Sequence, residues 1–221
     1  MSEPWSWADE LGPEQVAYLH DDAAELRAVV AIDNTAAGPA IGGVRMAPDV
    51  SAEEAFRLAR AMTLKNAAAG LRHGGAKAVI FGDPHWSDER KEPIVRAFAQ
   101  AMRDLRSYIP GPDMGTNERC MAWIRDEIGR AVGLPPEIGG VPLDEIGATG
   151  LGLAASAEVA TSYCDVSLDG ARVAIQGYGN VGRHAARFLE ERGAVVTAVS
   201  DSTGVAIDRS GLSLDTLDAL K

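Results

Sequence analysis

The feature that most narrows what this chain can fold into is a six-residue run, Gly177-Tyr178-Gly179-Asn180-Val181-Gly182, set between a strand and a helix. A G-x-G-x-x-G pattern alone is weak, because glycine turns are common in α/β proteins. Its surroundings decide the reading. Residues 171–176 (A-R-V-A-I-Q) read as a buried strand, 181–192 as a helix, and 195–200 as a second strand that ends at Asp201. That is a βαβ unit of the dinucleotide-binding type. Gly177 allows the tight turn, Gly179 lets a pyrophosphate reach the backbone, and Gly182 lets helix pack on strand. The N–H groups of Asn180 and Val181 then face the phosphates at the positive end of the helix. Asp201 lies where a carboxylate accepts both ribose hydroxyls and repels a 2′-phosphate, so NAD is expected and NADP is disfavoured.

The preceding residues have a different rhythm. Two apolar runs, 15–19 and 26–32, flank an acidic turn and read as a hairpin. Residues 44–46 read as a strand, and Ser51 with Glu54 is a capping-box signature for a helix over 51–69. Gly74-Gly75 breaks that helix before a strand at 77–81. A helix over 93–106, a Pro/Gly-rich loop over 109–115 and a helix over 118–131 follow. The stretch 133–147, rich in Gly and Pro, marks a boundary, and 149–163 reads as a small-residue helix crossing it. The expected architecture is α/β: a substrate-binding and oligomerisation domain over 1–145, then an incomplete Rossmann-type domain over 146–221.

Three polar residues stand out. Lys65 shares a helical stripe with Ala55, Leu58 and Met62, and Lys is almost never buried without a partner. Lys77 follows glycines that let a ligand approach the backbone, where desolvation disfavours an ammonium. Asp113 sits in Pro110-Gly111-Pro112-Asp113-Met114-Gly115-Thr116, a stiff loop suited to holding one carboxylate still. A snorkelling lysine and a turn-forming aspartate remain open at this stage.

Five stretches in order change that balance: G-P-A-I-G-G-V-R-M (38–46), M-T-L-K-N-A-A-A-G-L (62–71), G-G-A-K-A-V-I (74–80), P-D-M-G-T (112–116) and A-T-G-L-G (148–152). Over essentially its whole length the chain resembles the glutamate/leucine/phenylalanine/valine dehydrogenases, which oxidatively deaminate L-amino acids with a nicotinamide cofactor. The resemblance implies that Lys65 binds the substrate α-carboxylate, that Lys77 and Asp113 are catalytic, and that Thr149 meets the nicotinamide carboxamide. It also places Ile41, Gly42, Met62 and Gly111 around the substrate. Members acting on glutamate carry a Lys where this chain has Ile41, and tend to carry Gln where it has Met62. A buried γ-carboxylate without a partner costs several kcal/mol. Leucine, valine or phenylalanine is therefore expected, with glutamate as the alternative.

The family continues well beyond Lys221. The chain is expected to be either a fragment or a short relative, the latter a non-catalytic oligomerising paralogue. Alone it is expected to fold mainly before Gly140, to self-associate and to turn over little. A net charge of −11, from 32 acidic against 21 basic residues, argues against nucleic-acid binding. No apolar run is long enough to span a bilayer. The acidic start lacks a signal peptide's pattern. Cys120 and Cys164 are isolated, so no metal site is expected. A cytoplasmic homo-oligomer acting on an amino acid/2-oxo acid pair is the composite expectation.

Overall fold

The computed structural model describes residues 6–221. The chain divides into two compact units, Met1–Val141 and Pro142–Lys221.

The first unit is built on a five-stranded mixed sheet. Strands β1 (Gln15–Asp21) and β2 (Leu26–Asn34) form the expected hairpin, Gln15 opposite Ile32 and Asp21 opposite Leu26. Strands β3 (Ala40–Ala47), β4 (Gly74–Phe81) and β5 (Tyr108–Pro112) complete the order β1-β2-β4-β3-β5, with β3 parallel to both β4 and β5. Alternation along each strand separates two apolar faces. Ala76, Ala78 and Ile80 of β4 join the larger core with Phe98, Met102 and Ile124 of helices α2 (Asp88–Ala101) and α3 (Glu118–Ile128). Val79, two residues beyond Lys77, joins Val29, Ala31, Ala55 and Ala59 under helix α1 (Ala52–Ala68). Lys77 therefore starts from the α1 face of the sheet.

The Ser51 hydroxyl accepts the Glu54 N–H at 3.1 Å, as the capping-box spacing anticipates. The reciprocal half is not made, because Glu54 turns to Arg45 at 2.5 Å. Asp33, wholly buried on β2, is held by Arg60 at 2.9 Å and by the Thr63 hydroxyl at 2.6 Å, which fixes α1 against the sheet. An unpaired carboxylate there would be severely destabilising.

Three elements differ from expectation. Gly74-Gly75 does not lead up to a strand but belongs to β4: a Cβ on Gly75 would lie 2.1 Å from the Thr63 nitrogen, so glycine lets α1 approach. The second helix begins at Asp88 rather than 93, since Pro93 sits in its second turn instead of opening it. Only the carbonyl four residues back loses a partner there, and Glu89 is exposed to water. The Pro/Gly stretch is strand β5 through Pro112, tolerated because an edge strand can leave its missing donors facing outward.

In the second unit, α4 (Ala148–Ala160) precedes strand β6 (Arg172–Gln176), helix α5 (Asn180–Glu190) and strand β7 (Val195–Ser200), followed by β8 (Val205–Ile207) and α6 (Leu214–Ala219). The small-residue helix falls wholly within this unit and does not cross a boundary. The order is β6-β7-β8, parallel then antiparallel. Residues of β6 alternate between exposed and half-buried rather than being buried throughout. Among the described residues it has a strand neighbour on one side and α5 packing on one face. Together the units form an α/β chain in which an N-terminal α/β domain precedes part of a Rossmann-type domain.

Candidate active site

In the first unit three adjacent strands bring the chemistry to one level. Ile41 pairs with Gly75 and Val44 with Ala78, so Gly43 stands beside Lys77, and Gly43 also pairs with Gly111 on the other side. Lys77 on β4 reaches across β3 to Asp113, just past β5, and the two form a close ion pair. The Lys77 side chain is 7% exposed and that of Asp113 16%, so the pair is largely shielded yet open at one end. Gly43 makes this reach possible. A Cβ there would lie 2.7 Å from the Asp113 Cβ and 3.1 Å from the Lys77 Nζ.

Asp113 is held from several sides. Its backbone N–H donates to the Thr116 hydroxyl at 3.1 Å, and that hydroxyl donates to the Val44 carbonyl at 2.7 Å. The Met114 carbonyl accepts the Met46 N–H at 2.9 Å. Arg45 adds a second cation at 3.3 Å. Burial pushes the Asp113 carboxyl up, but the Lys77 hydrogen bond and charge, the Met114 N–H and the Arg45 charge outweigh it. The carboxyl is held below the ordinary carboxylate value and is charged at neutral pH. Tyr108, wholly buried, donates to the Gly42 carbonyl at 3.1 Å. Burial and the Asp113 charge raise its phenol well above the ordinary value, so it acts there as a neutral donor.

The other expected residues of this unit are dispersed around the pair. Ile41 is half-buried on β3, two residues before Gly43. Gly42 is buried, and a Cβ on it would lie 1.5 Å from the Ala76 carbonyl oxygen, so its place is a backbone contact. Gly111 is buried against Val132. Met62 is half-buried on α1, and Lys65 emerges exposed at its last turn, its side chain with no hydrogen bond or ion pair among the described residues. Gly43, Arg45, Thr116 and Tyr108 were not singled out in the sequence. The usable signals were a charge in an otherwise apolar strand for Arg45, and the second glycine of a doublet for Gly43.

In the second unit the glycine turn has the local geometry a pyrophosphate needs. Gly177 has φ +94°, and space is open above Gly177 and Gly179. A Cβ on Gly182 would lie 2.0 Å from the Gly177 carbonyl oxygen, which requires glycine for the helix to start there. Gly179 is the N-cap of α5, so the N–H groups of Asn180, Val181 and Gly182 have no partners within the helix. Asn180 donates its side-chain amide to the Asp144 carbonyl at 2.9 Å. Thr149 stands in the first turn of α4, whose Gly150 packs on His184 and Ala185 in the middle of α5. These features fit a dinucleotide.

Asp201 is less free than expected. One carboxylate oxygen accepts the Thr203 N–H at 2.8 Å and hydroxyl at 2.6 Å; the other is taken by the Lys221 ammonium. The Lys221 and Thr203 hydrogen bonds hold its carboxyl far below the ordinary value.

By fold, the chain joins a glycine-turn βαβ unit of the dinucleotide-binding type to an α/β unit that shields a Lys–Asp pair. Comparison with known proteins makes the class specific. The family described as "Glu/Leu/Phe/Val dehydrogenase, dimerisation domain" matches residues 14–130, and "Glutamate/Leucine/Phenylalanine/Valine dehydrogenase" matches 139–221. The chain belongs to the Glu/Leu/Phe/Val dehydrogenase family. It is 38% identical over 192 residues to the NADP(+)-dependent glutamate dehydrogenase of Pyrobaculum calidifontis, covering 81% of this chain and 45% of that protein. It is 37% identical over 207 residues to the leucine dehydrogenase of Bacillus subtilis, covering 90% and 56%. Among solved structures, the hetero-hexameric glutamate dehydrogenase of Thermus thermophilus in its leucine-bound form superposes with a TM-score of 0.81 at 32% identity, over 94% of this chain and 55% of that one. The chain spans about half the length of the curated relatives it matches. No helix among the described residues is long and apolar enough to cross a membrane.

Proposed function

We propose that this chain supplies the substrate-binding domain (1–145) and part of the cofactor domain (146–221) of a nicotinamide-dependent L-amino-acid dehydrogenase of the cytoplasm. The single observation that carries this is the shielded Lys77–Asp113 pair spanning Gly43. A nicotinamide, when bound, would supply the oxidising power as an acceptor of hydride. The chain's own residues then do three things. Lys65 binds the α-carboxylate. Asp113, held as a carboxylate, takes a proton from the substrate ammonium and frees its lone pair for hydride loss. Lys77, once it has shed its proton, takes one from the water that adds at Cα, and as an ammonium it stabilises the oxygen that becomes the ketone. The net change is amino acid, water and oxidised cofactor to 2-oxo acid, ammonium, reduced cofactor and one proton, the one Lys77 sheds to solvent before it acts as base.

For the side chain, half-buried Ile41 and Met62 favour leucine, valine or phenylalanine. No cation at either position can meet a γ-carboxylate, although relatives are named for glutamate as well as leucine. The test is a substrate panel with the chain joined, where needed, to the remainder of a family dehydrogenase. Leucine, valine or phenylalanine should exceed glutamate in kcat/KM. Ile41→Lys should raise the glutamate-to-leucine ratio by roughly tenfold or more. Dominant glutamate turnover by the parent would overturn the pocket reading, and no turnover of any amino acid would overturn the function.

For the cofactor, Asp201 favours NAD. A second reading, use of both NAD and NADP, is favoured by Lys221, which places a cation against that carboxylate. Asp201→Ser should raise NADP use relative to NAD by about tenfold, since the carboxylate that repels a 2′-phosphate is removed. Equal efficiency with both cofactors before mutation would count against the carboxylate as selector. Assembly into a homo-oligomer is supported by the outer strand β1, whose edge is unpaired among the described residues and whose Val16 and Tyr18 are exposed. Sedimentation of the purified protein as a monomer at working concentrations would count against it.

A further inference from the structure

Lys91 lies in the first turns of α2, is only 9% exposed, and has no carboxylate within ion-pair reach among the described residues. Asp88, three residues earlier on the same helix, is taken by Arg119. The ammonium instead donates to two backbone carbonyls, Pro84 at 2.6 Å and Gly115 at 3.2 Å. Pro84 follows the end of β4, the strand that carries Lys77. Gly115 lies two residues past Asp113, at φ +81° and packed so closely on Met46 that a Cβ would lie 2.1 Å from its carbonyl oxygen. One buried cation thus ties the exit of the Lys77 strand to the loop of Asp113.

A buried ammonium without a counter-charge is costly, and an apolar side chain of the same length would serve packing at least as well. The charge-assisted bonds to carbonyls are what the ammonium adds. We propose that Lys91 is a positioning residue that sets Asp113 against Lys77 by clamping the Gly115 carbonyl. This rests on the catalytic reading of the pair; Lys91 itself touches neither substrate nor cofactor.

Lys91→Met keeps the length and removes the charge. Hydrogen exchange on the full chain should show the amides of Met46, Asp113 and Thr116 exchanging at least about tenfold faster, with β2 and α1 unaltered. Tm should move by no more than about five degrees. In the joined, active enzyme kcat should fall about tenfold or more while KM for the amino acid changes less than about twofold. In an Asp113→Asn background the same substitution should cause no further loss, because Lys91 acts through Asp113. Faster exchange across the whole first unit, unaltered exchange at the loop, or a full additional loss in the Asp113→Asn background would each overturn the proposal. The exchange result stands whether or not the chain turns over amino acids. Failure of the catalytic reading would appear separately, as Lys77→Ala retaining activity.

Discussion

Replacing Lys77 with Ala in the active enzyme should lower kcat by on the order of a thousandfold or more, since a general base and the electrostatic stabiliser of the developing oxygen are removed together. Asp113→Asn should lower kcat by about a hundredfold or more. It keeps the shape of the side chain, so KM for the amino acid should change far less than kcat. The two losses should not add. Lys77 and Asp113 are direct ion-pair partners: removing Asp113 leaves Lys77 without its counter-charge, and removing Lys77 leaves Asp113 with Arg45 alone. Steady-state rates for the two single variants and the double variant check this. Near-parental kcat in either single variant would remove the pair from the chemistry.

The second large effect separates two adjacent glycines that look alike in the sequence. A methyl group on Gly42 would sit 1.5 Å from the Ala76 carbonyl oxygen and 2.3 Å from its carbon, both backbone atoms in the middle of the sheet. Neither can move without parting β3 from β4. Gly42→Ala should therefore cost more than about 4 kcal/mol or prevent folding of the first unit. A methyl group on Gly43 would instead meet the Asp113 Cβ at 2.7 Å, the Lys77 Nζ at 3.1 Å and the Pro112 carbonyl oxygen at 3.1 Å, a looser fit that a shift of Lys77 and of the Asp113 loop can relieve. Gly43→Ala should fold, with Tm lowered by about ten degrees at most. Its kcat should fall about a hundredfold, because the carboxylate and ammonium are pushed apart. Circular dichroism and steady-state rates on the two variants test the contrast. A well-folded Gly42→Ala, or a Gly43→Ala with parental kcat, would show that the sheet or the site relaxes in a way the packing does not suggest.

These glycines also show where sequence reasoning succeeds and where it stops. The hairpin, the Ser51 cap and the strand–turn–helix around Gly177 were legible, because each rests on local chemistry: alternation, a hydroxyl three residues before an N–H, a turn needing positive φ. Lys77 and Asp113 were legible as candidates for the same reason, one just past a glycine pair and the other directly after a proline. That they meet was not. Thirty-five positions separate them, and only the strand order, with β3 inserted between β4 and β5, makes them neighbours. Gly43, Arg45 and Tyr108 owe their places entirely to that order. Strand β5 was misread as a loop because proline and glycine argue against strands in general, and edge position is a tertiary fact. Asp201 was legible as a carboxylate at the right distance, while its engagement by Lys221 was not, since the two meet through a turn and a short helix.

The strand that intervenes between Lys77 and Asp113 has a consequence for how the protein fails. The pair is not carried by one hairpin or one loop that could survive by itself. It exists only when β4, β3 and β5 are aligned and α1 is seated over them. None of these four elements can melt and leave the site behind. A form opened at β5 is therefore a blank form, and any condition that frays that edge strand silences the chemistry before it exposes the core. Catalytic competence becomes an all-or-none reporter of cooperative order in that sheet.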